Sequence, residues 1–160
     1  MTAAAYLVPG LLGMLLARIA IVDARQGIIS NVDNLALAGL GALHRFVVGE
    51  SLLEGASGGM IGVAVLGVGN LLCQRIRNRD GFGYGDVKFM AGAGLWTGPE
   101  GVAPMLLLAS ISGIAGFAMT GGCRGRARWE STLRFGPYLC SGLAVVLLLQ
   151  WMGGAPWRPA

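Results

Sequence analysis

Long apolar runs, separated by short segments that carry arginine, are the feature that most restricts how this chain can fold. Of its 160 residues, 54% are hydrophobic and only 12% are charged, whereas roughly a quarter of the residues of an ordinary soluble domain are charged. We therefore expect an all-α membrane protein, a bundle of six transmembrane helices in which residues 1–160 form one polytopic domain. The predicted helices cover roughly 4–22, 33–49, 55–74, 86–98, 101–121 and 136–152.

Three of these predicted helices need comment. His44 and Arg45 interrupt the second, and the fourth is short for a bilayer crossing. A bundle tolerates such helices where they face protein or a water-filled cavity instead of lipid. The first apolar run lacks the basic start of a signal peptide, so we interpret it as a retained helix.

Charge predicts the orientation of the bundle. Cytoplasmic loops of membrane proteins are rich in lysine and arginine, so we predict an outside N-terminus. The predicted inner loops then contain Arg25, Arg75, Arg77, Arg79, Arg124, Arg126, Arg128 and Arg134. The predicted outer loops contain Glu50, Glu54 and Glu100 and no basic residue. The four aspartates that this orientation places at the cytoplasmic side are Asp23, Asp33, Asp80 and Asp86.

Composition argues against several other classes of protein. The net charge of +4 is explained by the basic loops of a membrane protein, so we expect no nucleic-acid partner. Cys73, Cys123 and Cys140 lie far apart, and the chain has one histidine. This pattern favours neither a zinc site nor a disulfide framework, and we expect no metal and no cofactor.

Asp86 follows a run in which glycine alternates with other residues and opens an apolar segment. Gly81, Gly83 and Gly85 would let the backbone approach a substrate closely and adopt torsions that other residues avoid. A simpler interpretation is that Asp86 caps the N-terminus of a helix. A cap alone does not require three glycines before it.

Asp23 ends the first predicted helix, where the helix dipole disfavours a carboxylate. It could be a hydrated residue at the membrane surface, paired with Arg25. Two carboxylates that share a site do not both ionise easily, so one proton is held between Asp23 and Asp86 if they meet. One carboxylate would then take a proton from water that attacks a carbonyl, while the other protonates the leaving group.

Three segments resemble the type IV prepilin peptidases, a family of GxGD aspartyl proteases in membranes. Gly83-Tyr84-Gly85-Asp86-Val87-Lys88 resembles the family's GxGD-VK motif, and Val22-Asp23-Ala24-Arg25-Gln26-Gly27-Ile28-Ile29-Ser30-Asn31 resembles its first aspartate motif. Phe135-Gly136-Pro137 resembles the start of the family's last helix. The resemblance implies that Asp23 and Asp86 are catalytic, and that Gly83, Gly85, Lys88 and Asn31 belong to the motifs that a substrate approaches.

The same resemblance implies a substrate and a location. The substrates would be prepilins or pseudopilins, cut before their hydrophobic segment at the cytoplasmic face of the prokaryotic inner membrane. Ser30 stands where the family usually has proline, which loosens the expected turn after Asp23. The chain shows no cysteine-pair region of the methyltransferase type, so it resembles the short, peptidase-only form of Tad/Flp-type systems, and N-methylation is not expected.

Other residues carry smaller predictions. We expect Lys88 to reach the membrane surface instead of pairing with Asp86, Asp33 to cap the second helix, and Asp80 to be solvated among arginines. Arg18, His44 and Arg45 are expected either at the membrane interface or against polar partners in the bundle. Trp96, Trp151 and Trp157 are expected in an outer aromatic belt, with Trp129 in an inner loop. Close helix contact is predicted at the glycine pairs Gly55/Gly59, Gly58/Gly62 and Gly94/Gly98.

Two alternatives to a prepilin peptidase stay open at this point. One is a presenilin-like GxGD protease that cuts within the lipid, although such enzymes have a different sequence around the first aspartate. The other is a small transporter or scaffold that is not an enzyme. A transporter would distribute its carboxylates along a crossing path, whereas the aspartates here are predicted at one face.

Overall fold

A computed structural model describes residues 4–77, 83–119 and 134–153, and these ranges are almost entirely helical. No strand occurs in them, so the all-α prediction is confirmed. The helices are α1 (Ala4–Gln26), α2 (Asn31–Val48), α3 (Leu52–Arg77), α4 (Tyr84–Met119) and α5 (Gly136–Trp151).

The long helical run α4 consists of two arms that meet at Gly98. Gly98 has φ 70° and ψ −178°, a backbone conformation that favours glycine, and Pro99 follows it. The second arm returns toward the start of the first, because Phe135 lies against Gly113 and also lines a pocket with Gly85. In a straight helix, positions 85 and 113 would be about 42 Å apart. The break therefore falls between the fourth and fifth predicted helices.

Within the described ranges, three helices are long and apolar enough to cross a membrane: Leu7–Gln26, Leu52–Ile76 and Tyr84–Met119. Gly136–Trp151 is apolar but shorter. These helices support the prediction of a membrane protein. The finer prediction that six segments cross the bilayer stays a prediction.

Glycines bring α3 and the first arm of α4 into backbone contact. A Cβ on Gly58 would lie 2.5 Å from the carbonyl carbon of Gly98, and one on Gly59 would lie 2.7 Å from the carbonyl oxygen of Ala91. A Cβ on Gly94 would collide with the backbone of Gly58 and Gly59. Since no side chain larger than hydrogen fits, the predicted close contact at the glycine pairs is confirmed.

The end of the bundle near Gly98 is built around Arg45, whose side chain is 3% exposed. Its guanidinium donates to the carbonyl oxygens of Leu95 at 2.5 Å and Ser51 at 2.9 Å. The Glu50 carboxylate lies 3.3 Å away. Arg45 thus ties the α2–α3 turn to the first arm of α4, which confirms that it has polar partners.

Trp96 corrects the prediction of an aromatic belt at this end. It is buried, its Nε1 donates to the Leu37 carbonyl at 2.9 Å, and its ring stacks on His44 at 5.1 Å. An interfacial residue would face lipid and water, so this tryptophan is a core residue. Trp151, which lies 6.3 Å from His44, is half exposed.

The start of α2 corrects a second prediction. Ser30 is the N-cap, since its hydroxyl accepts from the Val32 N–H at 3.2 Å. Asp33 is fully buried and forms an ion pair with Arg18, so it joins α1 to α2 instead of capping the helix. The serine at position 30 therefore supplies a cap that proline could not.

Several predictions fall outside the described residues. They concern Arg79, Asp80, Gly81, Cys123, Arg124, Arg126, Arg128, Trp129 and Trp157.

Candidate active site

Asp23 lies in the last turn of α1, which continues to Gln26, four residues beyond the predicted end. Gly27, with φ 71°, ends the helix, and its N–H donates to the Asp23 carbonyl at 2.8 Å. The Asp23 side chain is 5% exposed, and its Oδ2 accepts from the backbone N–H of Gly136 at 3.1 Å. The carboxylate is therefore buried and held from the opposite end of the chain.

Asp86 lies in the first turn of α4 and is 8% exposed. Its own N–H donates to the Gly83 carbonyl at 3.0 Å, and its carboxylate accepts from the Gly83 N–H. This reciprocal arrangement satisfies free donors at a helix start. The helix-cap interpretation of Asp86 thus describes part of its role, and burial beside a second acid remains to be explained.

Gly85 lets the start of α4 pack directly on the segment between α1 and α2. A Cβ on Gly85 would lie 3.2 Å from the Ile29 Cβ, tighter than ordinary packing. The Gly85 carbonyl faces Asn34, whose Nδ2 lies 3.5 Å away. The glycine before Asp86 therefore permits close packing against the segment that precedes α2, in addition to any approach of substrate.

One pocket of about 610 Å³ brings the two aspartates together. Asp86 is close enough to Asp23 for the two charges to repel each other. Gly83 and Gly85 line the same pocket. Its lining residues are Asp23, Gly27, Ile28, Ile29, Gly83, Tyr84, Gly85, Asp86, Arg134 and Phe135.

Asn31 and Lys88 lie beside the pocket but do not line it. The Lys88 ammonium donates to Asn31 Oδ1 at 2.9 Å, in an exposed position. No ion pair between Lys88 and Asp86 occurs in the described part of the chain. The predicted separation of lysine from aspartate is confirmed, and Lys88 binds an asparagine of the other motif.

Sequence reasoning did not identify Arg134 as a pocket residue or Gly136 as the hydrogen-bond donor to Asp23. Arg134 lines the pocket, donates to the carbonyl oxygen of Ala24 and acts electrostatically on Asp23. The sequence counted Arg134 as one basic residue of an inner loop, and only its place next to the Phe-Gly-Pro segment could have singled it out.

The site can perform acid–base chemistry on a peptide-sized group. Two buried carboxylates line one pocket, and apolar side chains such as Ile29 and Phe135 lie beside them there. No group of three metal-ligating side chains occurs among the residues that were described. Fold and site together define a class: an all-α protein of membrane type with an acid pair at one end of its bundle.

Comparison with known proteins gives the family. The model of the type IV leader peptidase family matches residues 10–118. This chain belongs to that family of peptidases.

Curated relatives include a protein from Burkholderia pseudomallei strain 1026b named prepilin leader peptidase/N-methyltransferase, which is 35% identical over 140 residues. That alignment covers 86% of this chain and 44% of the relative. The corresponding protein of Escherichia coli K12 is 33% identical, with coverages of 84% and 60%. Leader peptidase HopD of Salmonella typhimurium is 34% identical, with coverages of 74% and 77%.

The chain thus spans less than half of the Burkholderia relative and most of HopD. No solved structure matches it.

Proposed function

We propose that this protein is an aspartyl endopeptidase that cleaves the leader peptide of type IV prepilins or pseudopilins. Family membership supports leader-peptide cleavage, and the observation that carries the mechanism is the pocket that contains both Asp23 and Asp86. The proposal covers a single peptidase domain over residues 1–160, arranged as six membrane-spanning helices. N-methylation is not part of it.

The reaction uses the two carboxylates and one water. One carboxylate, ionised, accepts a proton from water as the water oxygen attacks the scissile carbonyl carbon. The other, protonated, donates a hydrogen bond to the carbonyl oxygen. As the tetrahedral intermediate collapses, the C–N bond breaks and the leaving nitrogen receives a proton from the pair. Two acids that share one proton are suited to both steps.

The pocket also suits the form of the substrate. A peptide cut next to a hydrophobic segment presents a polar scissile bond beside apolar side chains. Ile28 and Tyr84 are 60% and 67% exposed, and both line the pocket. They can contact the apolar segment while the two aspartates act on the bond before it.

The cytoplasmic face is proposed from charge. Among the described residues, Arg25, Arg75, Arg77 and Arg134 belong to the predicted inner loops, and Arg134 lines the pocket. Glu50 and Glu54 lie at the other end, near Arg45. Because basic residues favour the cytoplasmic side, the acid pair would face the cytoplasm.

The decisive experiment is cleavage of a purified prepilin by the full chain in detergent or liposomes, with the products identified by mass spectrometry. Asp23→Asn and Asp86→Asn should each reduce kcat by at least roughly a thousandfold while the protein stays folded. Asp33→Asn is the matched control, because Asp33 is equally buried but pairs with Arg18 outside the pocket. Full activity of Asp23→Asn or Asp86→Asn would remove that residue from the mechanism.

A second experiment tests the membrane face. In a variant without native cysteines, Ser30→Cys marks the pocket end and Ser51→Cys the opposite end. A membrane-impermeant maleimide added to spheroplasts should label position 51 and spare position 30. The reverse labelling pattern would contradict the cytoplasmic location. In the cleavage assay, a cut within the lipid-embedded part of the prepilin would favour the presenilin-like alternative.

A further inference from the structure

The start of α5 makes one contact that the two-aspartate mechanism does not by itself require. Phe135 precedes the helix and provides no side-chain cap, and Pro137 has no N–H to donate. The Tyr138 and Leu139 N–H groups both bond to the Phe135 carbonyl at 3.1 Å. The N–H of Gly136, which has no acceptor within its own helix, donates to Asp23 Oδ2 at 3.1 Å.

The absence of a side chain at position 136 is equally specific. A Cβ on Gly136 would lie 2.6 Å from both Cγ and Oδ2 of Asp23, and 2.9 Å from its Cβ. Real Cβ atoms essentially never come within 3.0 Å of another heavy atom in this way. Any residue other than glycine must therefore shift the Asp23 carboxylate relative to the start of α5.

Arg134 strengthens the same junction from two residues earlier. Its guanidinium donates to the carbonyl oxygen of Ala24, the residue after Asp23. The last turn of α1 is thus held both through its backbone and through the Asp23 side chain. These contacts span 110 and 113 positions of sequence, so they join the first helix to the last.

We propose that Gly136 is a positioning residue for Asp23: its N–H and its missing Cβ together fix the carboxylate that the proposed reaction uses. Oδ2 is held by the N–H, and no described residue donates to Oδ1, which is left to accept from the attacking water. This inference rests on the proposed function. It gives the Phe-Gly-Pro segment a chemical role, since a carboxylate displaced by about 1 Å loses on the order of a hundredfold in rate.

Gly136→Ala tests the inference in the full-length protein in detergent, with cleavage of a prepilin as the assay. We expect kcat to fall at least about a hundredfold while KM changes less than about threefold, because the substrate-contacting side chains stay in place. Gly142→Ala is the matched control. It lies on the same helix, and its Cβ would be 2.7 Å from the Met105 carbonyl oxygen, outside the pocket.

Gly142→Ala should lower the unfolding temperature but keep kcat per folded enzyme near that of the starting protein. Equal kcat losses in the two glycine variants, or a Gly136→Ala kcat within about threefold of the starting protein, would overturn the inference. If the starting protein itself cleaves no prepilin, the proposed function fails instead. The two failures are therefore distinguishable.

A double-mutant cycle on stability tests the contact without any assay of activity. Gly136→Ala should lower the unfolding temperature by about 3 °C or more, which corresponds to about 1 kcal/mol for a chain of this size. In an Asp23→Ala background, which removes the carboxylate, the same substitution should cost much less. Equal losses in both backgrounds would show that position 136 does not hold Asp23, and would overturn the inference.

Discussion

The two ends of the helix bundle bury charge in opposite ways. Near Gly98, the buried guanidinium of Arg45 bonds to backbone carbonyls and has the Glu50 carboxylate within 3.3 Å. At the pocket end, Asp23 and Asp86 are about as buried, yet no lysine or arginine forms an ion pair with either in the described ranges. Instead they repel each other.

This difference distinguishes a buried charge that stabilises the fold from buried like charges of the kind found at functional sites. A buried charge with complete partners stabilises a particular arrangement of helices. Two like charges brought together destabilise the fold, and such arrangements cluster at functional sites, where stability is traded for activity. On this argument the buried charge at the Arg45 end stabilises the packing of the helices, and the acid pair at the other end is the proposed catalytic site.

The largest expected difference in stability between the ends comes from Arg45→Met. The substitution removes the side-chain donor of the Leu95 carbonyl oxygen, leaves Ser51 with only the Gly55 N–H at 3.4 Å, and removes the charge that balances Glu50. We expect a loss of about 3 kcal/mol in the free energy of unfolding. Because Arg45 is far from the pocket, kcat per folded enzyme should not change.

Unfolding in detergent, followed by circular dichroism, measures the loss, and prepilin cleavage measures kcat. Arg18→Met provides a comparison, since the Arg18 side chain is 61% exposed although its partner Asp33 is buried. A fully stable Arg45→Met variant would show that the buried guanidinium does not maintain this end. A specific fall in its kcat would remove the distinction between the two ends.

The next largest effect is expected at Gly98, where α4 turns back. Alanine there must adopt φ 70° with ψ −178°, a region used almost only by glycine, which costs about 1–3 kcal/mol, and its Cβ would lie 3.2 Å from Arg45 Nη2. Gly67→Ala is the matched control, because nothing lies within 4 Å of its Cβ and alanine favours a helix. Thermal unfolding should rank Gly98→Ala below the starting protein and Gly67→Ala at or above it. The opposite ranking would contradict the strained turn.

Local sequence patterns predicted many of the features that form the two ends of the bundle. The apolar runs predicted helices, and the break at Gly98 lies between the predicted fourth and fifth helices. The glycine pairs predicted the α3–α4 contact because small residues act through spacing alone. The motif around Gly85 predicted where Asp86 would lie in the chain, although not which residues would surround it.

The contacts that sequence reasoning missed join distant parts of the chain. Nothing near Asp33 indicates that Arg18 is its partner, and nothing near Gly136 indicates Asp23. The sequence predicts Trp96 at the membrane surface because tryptophan is common at membrane interfaces. In the structure its N–H donates to a backbone carbonyl of α2, so the side chain can lie in the core. Tertiary packing determines which distant residues contact each other, and the periodicity of the sequence carries no information about that packing.

The third prediction is a gain in stability, opposite in sign to the loss expected for Arg45→Met. Asp86→Asn and Asp23→Asn each remove one acid from a buried pair whose members repel when both ionise, and an asparagine oxygen can still accept from the Gly136 N–H at position 23. We expect each variant to be more stable by about 1 kcal/mol while cleavage is lost. Asp33→Asn, which breaks an ion pair, should be less stable. Lower stability of both pocket variants would mean that the pair maintains the fold.

The smallest effect is expected at Ser30, beside the pocket at the start of α2. Ser30→Ala removes the hydroxyl that accepts from the Val32 N–H and should cost about 0.5–1 kcal/mol. Ser30→Pro loses the same cap, but φ is already −65° at this position, so proline reduces the entropy of the unfolded chain and recovers about 0.4–1 kcal/mol. Thermal unfolding should therefore place Ser30→Pro between Ser30→Ala and the starting protein, with kcat unchanged in all three. A proline variant less stable than the alanine variant would show that the backbone N–H at position 30 is needed, and that this turn differs from one built on proline.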